Sequence, residues 1–177
     1  MTDGAVLNQT RDAAFEQLMQ TQMARVYRLC CWLVNDRTAA EDITQEVFLK
    51  VYKHLSAFRG DSRIETWLYR IAVNESKRYL RSGVFRKRFS ASQANRVACA
   101  DIEKEVMRKD EQAALSRLID TLPFRHKQVL ILHYYEELRV ETIAEILGIT
   151  PGAVYTRLHR AREKLKALMR KEEERWI

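Results

Sequence analysis

The chain has 177 residues, 46% of them hydrophobic, enough for one ordinary domain or two small ones with a buried core. Lys and Arg outnumber Asp and Glu by 31 to 24, and the net charge of +7 points to a polyanionic partner. No run approaches the ~20 apolar residues of a membrane span, Met1 to Thr10 lacks a signal-peptide core, and Cys30, Cys31 and Cys99 have neither disulfide-framework nor zinc-site spacing. A cytoplasmic protein with no metal, no cofactor and no direct membrane insertion is therefore expected, its thiols buried or incidental.

Only five Gly and two Pro are present, and apolar residues recur at helical spacing, so the expected fold is all-α. Phe15, Leu18, Met19, Val26, Tyr27, Cys30 and Leu33 mark a first helix from Phe15 to Val34. Asn35, Asp36 and Arg37 interrupt it. A second helix from about Ala39 to Leu55 turns Ile43, Val47, Phe48, Val51, Tyr52 and Leu55 inward. The turn-rich segment Phe58 to Arg63 leads to a third helix, about Glu65 to Arg81, with Trp67, Leu68, Ile71 and Ala72 on its apolar side.

Between Ser82 and Ala100 the period is lost and the basic cluster Arg86-Lys87-Arg88 appears, as in a flexible linker. Helical spacing resumes near Asp101 and stops at Pro123; a helix from Arg125 to Tyr135 and two more joined at Gly148 complete a second small domain. The expected division is 11–82, a linker over 83–100, and 101–177.

Residues 140–154 have helix-turn-helix spacing. Ala144 is small at the crossing, Gly148 can take the positive φ of the turn, Thr150 can cap the second helix, and Pro151 suits its first turn. Val154, Leu158, Ala161, Leu165 and Leu168 form the inward stripe, leaving Tyr155, Thr156, His159, Arg160 and Glu163 outward. Side chains that reach base edges near the helix start, with cations for phosphates, are what a recognition helix needs; Tyr155, Thr156, Arg157, His159, Arg160, Arg162 and Lys164 supply both. The competing reading is an ordinary helical hairpin with a solvated basic face. On the second helix, burial of Ile43, Val47, Val51 and Leu55 leaves Asp42, Gln45 and Glu46 grouped outward: a patch for a basic protein surface, or a solvated face.

Four motifs in order carry a family resemblance: Ala40 to Phe48 (AEDITQEVF); Phe58 to Ser62 (FRGDS) with Thr66 to Asn74 (TWLYRIAVN); Leu122-Pro123; and the helix-turn-helix ending Arg160 to Leu165 (RAREKL). From about Phe15 to Leu168 the chain resembles the extracytoplasmic-function sigma factors of bacterial RNA polymerase. The resemblance implies that the first domain grips the clamp of the largest polymerase subunit through Asp42, Gln45, Glu46 and Leu49. It implies that Asp61, Ser62 and Asn74 capture a flipped base of the minus-ten element, with Lys77, Arg78 and Arg81 beside the strand. Trp67 could stack on DNA, but its place on the apolar side favours core packing. The helix-turn-helix would read the minus-thirty-five element while its domain meets the flap of the second-largest subunit. An anti-sigma factor, often membrane-anchored, would restrain the protein until a stress signal.

Two positions depart from the family pattern. Arg139 stands where a capping Ser usually opens the helix-turn-helix, forfeiting ~1 kcal/mol, and Tyr155 stands where a cation is common. A stand-alone regulator using only the helix-turn-helix would need a dimerisation seam, which the sequence does not display. A nuclease using Asp61, Asp42 and Glu46 would need a metal-ligand cluster or nucleophile constellation, which is equally absent from its motifs.

Overall fold

The computed structural model describes residues 3–58, 60, 62–82 and 109–174, with no strand among them. The linker expected over 83–100, Arg86-Lys87-Arg88, Cys99 and Asp61 lie outside the described residues.

In the N-terminal half, α1 (Asp3–Val34), α2 (Arg37–His54) and α3 (Ile64–Arg81) pack pairwise on one another. The first helix begins twelve positions before the apolar pattern does, at Asp3 rather than Phe15. It ends where Asn35 takes a left-handed conformation, φ 52°, which Asn tolerates better than most residues. Asp36, extended at φ −149°, then caps α2 by accepting from the Ala39 N–H at 3.0 Å. Lys53 and His54 complement the negative end of that helix. Val26, Leu29, Cys30 and Leu33 meet Val47, Val51, Leu68 and Ala72 in the core. Phe15 sets its ring edge-on to Tyr52 at 5.0 Å, pinning the middle of α1 to the end of α2.

In the C-terminal half, α4 (Lys109–Asp120) precedes Leu122-Pro123, and α5 (Phe124–Leu130) runs into a π-helical turn at Ile131–Tyr135. The helix expected to run to Tyr135 is thus wound wider at its end. Glu136 N–H reaches back five residues to the Ile131 carbonyl at 3.1 Å, so side chains after Ile131 are displaced by roughly 100° from α-helical register. Glu137 follows in the left-handed region, φ 52°. The remaining helices are α6 (Val140–Leu147) and α7 (Pro151–Glu174). Val129, Ile131, Leu132, Ile143, Val154, Leu158 and Ala161 are their buried core.

The two halves share one continuous apolar cluster, and α3 packs against α6. At the seam the Tyr69 hydroxyl donates to Glu136 Oε2 at 2.6 Å, and Arg25 joins the same oxygen at 3.3 Å. The Glu136 side chain is only 7% exposed, so this carboxylate depends on both partners for its lost hydration. Burial and the neighbouring Glu136 charge push the Tyr69 phenol well above its usual range, keeping it a donor. Trp32 lies on the Tyr135 ring at 4.2 Å, Asn35 donates to Asp120, and Arg70 donates to the Glu145 carbonyl at 2.8 Å.

Candidate protein and nucleic-acid surfaces

Helix α2 displays Asp42 and Gln45 to solvent, with Leu49 55% exposed one turn further, while Ile43, Val47 and Val51 are buried behind them. The 3.6-residue repeat brings those three outward side chains onto one face. Glu46 shares the face but is half-buried. It lies 3.8 Å from Lys50 Nζ on its own helix and 3.8 Å from Arg78 Nη2 on α3. The expected acidic patch is therefore partly neutralised from within.

On α3, Asn74, Lys77, Arg78 and Arg81 are all exposed, and Gly60, with φ 75°, turns the chain ahead of that helix. Ser62 is half-buried at the helix entrance. Trp67 packs its ring against Phe58 at 5.2 Å and belongs to the partly buried margin of the core, in keeping with packing. Arg78 is the exception among the cations, because it pairs with Glu75, three residues before it, as well as with Glu46. Glu75 is a buried acid that the reading of the sequence missed. The available signal was a carboxylate at the i+7 position from Leu68 and i+3 from Ala72, inside the apolar stripe.

The helix-turn-helix forms as its residues dictate. Gly148 ends α6 at φ 63°, ψ 40°, a left-handed cap that any side chain would strain. The Thr150 hydroxyl accepts from the Ala153 N–H at 3.2 Å, capping α7, whereas Arg139 gives α6 no side-chain cap. With Val154, Leu158 and Ala161 buried, Tyr155, Thr156, His159 and Arg160 face outward together; Tyr155 is 59% exposed. The Thr156 hydroxyl donates back to the Gly152 carbonyl at 2.9 Å, which leaves its oxygen able to accept. Arg157 is half-buried, and Arg162 turns aside to lie 5.8 Å from the Tyr134 ring centre. Among the described residues no carboxylate pairs with Arg157, His159 or Arg160.

Beneath this face, burial lowers the His126 pKa, helped by the positive charges of Arg125, Lys164, Arg160 and Arg157. That grouping adds Arg125 to the basic surface, a residue the sequence pattern did not single out. Cys30 and Cys31 are buried, and burial pushes the Cys30 thiol up to about 12, so it holds its proton and offers little reactive thiolate. The described residues contain no metal-ligand cluster and no helix long and apolar enough to cross a membrane.

An all-α chain ending in a helix-turn-helix whose outward face carries Tyr, Thr, His and Arg has the architecture of a helical DNA-binding protein. The family model described as Sigma-70 region 2 matches residues 18–85, and that described as Sigma-70, region 4 matches residues 112–165. The RNA polymerase sigma-H factor of Pseudomonas aeruginosa is 35% identical over 88% of this chain and 86% of its own. The ECF RNA polymerase sigma factor SigW of Bacillus subtilis is 31% identical over 89% of each. The fold is similar to a solved structure of the sigma factor RpoE with the anti-sigma factor NepR from Bartonella quintana: TM-score 0.66, 21% identity, 89% of this chain and 97% of that one. A structure of CnrH with the cytosolic domain of CnrY gives TM-score 0.67 at 22% identity, covering 90% of each chain. The chain belongs to the sigma-70 family, in its extracytoplasmic-function class.

Proposed function

We propose that this protein is an alternative sigma subunit that binds core RNA polymerase, directs it to a promoter of its own and takes no catalytic part itself. Residues 11–82 form the unit that binds polymerase and opens DNA, and residues 101–177 form the unit that reads duplex. In the first unit Asp42, Gln45, Glu46 and Leu49 meet a basic surface of the polymerase clamp. Asp61, Ser62 and Asn74 receive an unstacked minus-ten base, and Lys77, Arg78 and Arg81 follow the strand. Strand opening then draws on binding energy, each stacked or captured base contributing about 1–3 kcal/mol, without a nucleotide cofactor.

In the second unit, Tyr155, Thr156, His159 and Arg160 enter the major groove of the minus-thirty-five element, and Arg157 and Arg162 flank it. The observation that carries the reading is the geometry of that helix: a left-handed Gly148 turn and a Thr150 cap aim four exposed, chemically mixed side chains in one direction. Work at promoters places the protein in the cytoplasm. Two structural neighbours were solved bound to an anti-sigma factor or to a cytosolic domain, which supports a similar restraint here, with release in a stress response.

Transcription by purified bacterial core polymerase on a randomised promoter library, with transcript starts sequenced, tests this. Added protein is expected to yield starts that share two spaced elements and that vanish with Asp42→Arg combined with Glu46→Arg. Specific duplex binding by the protein alone, without any protein-dependent starts, would replace the reading with a stand-alone regulator.

A further inference from the structure

Glu75 has no role in the proposed function as it stands, yet it is the most enclosed member of an ion-pair ring. Its side chain is 10% exposed; Oε1 accepts from Lys50 Nζ at 2.5 Å and Oε2 pairs with Arg78. Glu46 closes the ring with contacts of 3.8 Å to each of the same two cations. Two carboxylates and two cations thus form a charge-balanced set spanning α2 and α3. One corner, Glu46, lies on the face assigned to polymerase. Another, Arg78, lies on the face assigned to DNA.

The four corners are unequal. Glu75 is largely stripped of water, so losing every partner would leave a buried unpaired charge, a costly state. It must keep at least one cation. Glu46 is half-exposed and its contacts are long, so an incoming cation can displace them at little cost. Lys50 is shared between Glu46 and Glu75 and already touches the latter at hydrogen-bonding distance. Arg78 is the most exposed corner, with 65% of its side chain in solvent, and its long stem can swing.

We propose that Glu75 is a positioning residue that withholds Arg78 from DNA phosphates in the free protein and yields it when polymerase docks. A cation of the polymerase arriving at Glu46 removes the competing carboxylate from Lys50. Lys50 then serves Glu75 alone, and Arg78 turns to the opened strand. This rests on the proposed sigma role and adds the order of events: Arg78 joins Lys77 and Arg81 on the DNA face of α3 only after the polymerase face is occupied. An arginine balanced by two carboxylates releases few counterions from DNA, whereas a liberated one releases nearly a full equivalent.

The test is the salt dependence of binding of the full chain to a fluorescent duplex with a single-stranded minus-ten segment, without polymerase. Glu75→Gln keeps the side-chain shape and removes the charge. It is expected to steepen the slope of log K against log salt by about 0.7–0.9, the contribution of one phosphate contact. The deciding quantity is the loss on Arg78→Ala, larger by about that amount in the Glu75→Gln background than in the native one. Glu46→Gln, at the exposed corner, should shift the slope in the same direction by a smaller amount, and it serves as the background if Glu75→Gln does not fold. A uniform reduction of negative charge predicts equal Arg78→Ala losses in both backgrounds, and that result overturns the proposal. Failure of the sigma reading shows separately, as an absence of protein-dependent starts in the transcription assay.

Discussion

The two candidate DNA surfaces differ in what their cations do before any partner arrives. On α3, Arg78 is tied to Glu75 and Glu46, whereas on α7 no carboxylate among the described residues pairs with Arg157, His159 or Arg160. The first surface is compensated at Arg78, while Lys77 and Arg81 stand exposed beside it; the second has no such compensation among the described residues. A recognition helix needs only a rigid approach to duplex that already exists. A surface that must seize unpaired bases gains from holding back one of its cations until the enzyme that needs it is present, because each added phosphate contact strengthens binding to any DNA sequence.

The largest effect that sharpens this contrast is mechanical. Leu68 lies in the core of the first half and Leu158 in that of the second, both essentially without solvent contact. Leu68→Ala and Leu158→Ala should each cost about 2–5 kcal/mol. Because the apolar cluster is continuous and Glu136 is buried between Tyr69 and Arg25, each is expected to lower one shared denaturation midpoint. Two separate transitions, each moved by only one substitution, would mean that the halves unfold independently.

Smaller, and confined to the second half, is the strain of its turns. Glu137 sits at φ 52°, a region that costs an ordinary residue about 1–2 kcal/mol, whereas Gly148 occupies its left-handed position without penalty. Glu137→Gly should stabilise the protein by roughly 0.5–1 kcal/mol once the greater unfolded-state freedom of glycine is subtracted. Arg139→Ser, restoring the missing cap, should add about as much. Urea titration of each variant reads the gain, and a loss in either would show that the native side chain makes a compensating contact.

The smallest effect is a pH dependence carried by His126. Its folded pKa lies below the unfolded value, chiefly through burial and then through the surrounding cations. The unfolded chain therefore binds more protons in that interval, and stability is present above the unfolded value of about 6.5 and declines as pH falls through it. His126→Gln should flatten the decline in thermal midpoint between about pH 7 and pH 5, relative to the native chain. An identical pH profile in the two proteins would assign the decline to other groups.

Much of this was legible from spacing. The three-and-four repeat of Val26, Cys30 and Leu33, or of Val154, Leu158 and Ala161, reflects a helix burying one face, and those residues are buried. Gly148 and Thr150 could be placed because a turn and a cap demand particular chemistry. The first twelve positions of α1 were missed because Asp3 to Ala14 carries no sustained apolar stripe, so helix there follows from continuation rather than from a pattern. The π-helical turn was hidden because one wider turn leaves hydrophobic order unchanged. The Glu136 contacts pair residues 67 and 111 positions apart, which no local period can encode. Glu75 was overlooked for a different reason: a charged residue is assigned by habit to the outer face, and only its cations on two helices make an inner place tolerable.

The Trp32 ring, lying across the seam on Tyr135, gives the molecule an optical gauge of its own posture. Its indole belongs to the first half and its stacking partner to the second, while Trp67 rests against Phe58 wholly within the first half. Separation of the halves alters the surroundings of one indole and spares the other. Emission from a variant carrying both Trp67→Phe and Trp176→Phe, followed as DNA is added, therefore distinguishes a protein that binds closed from one that must part first, with no label attached.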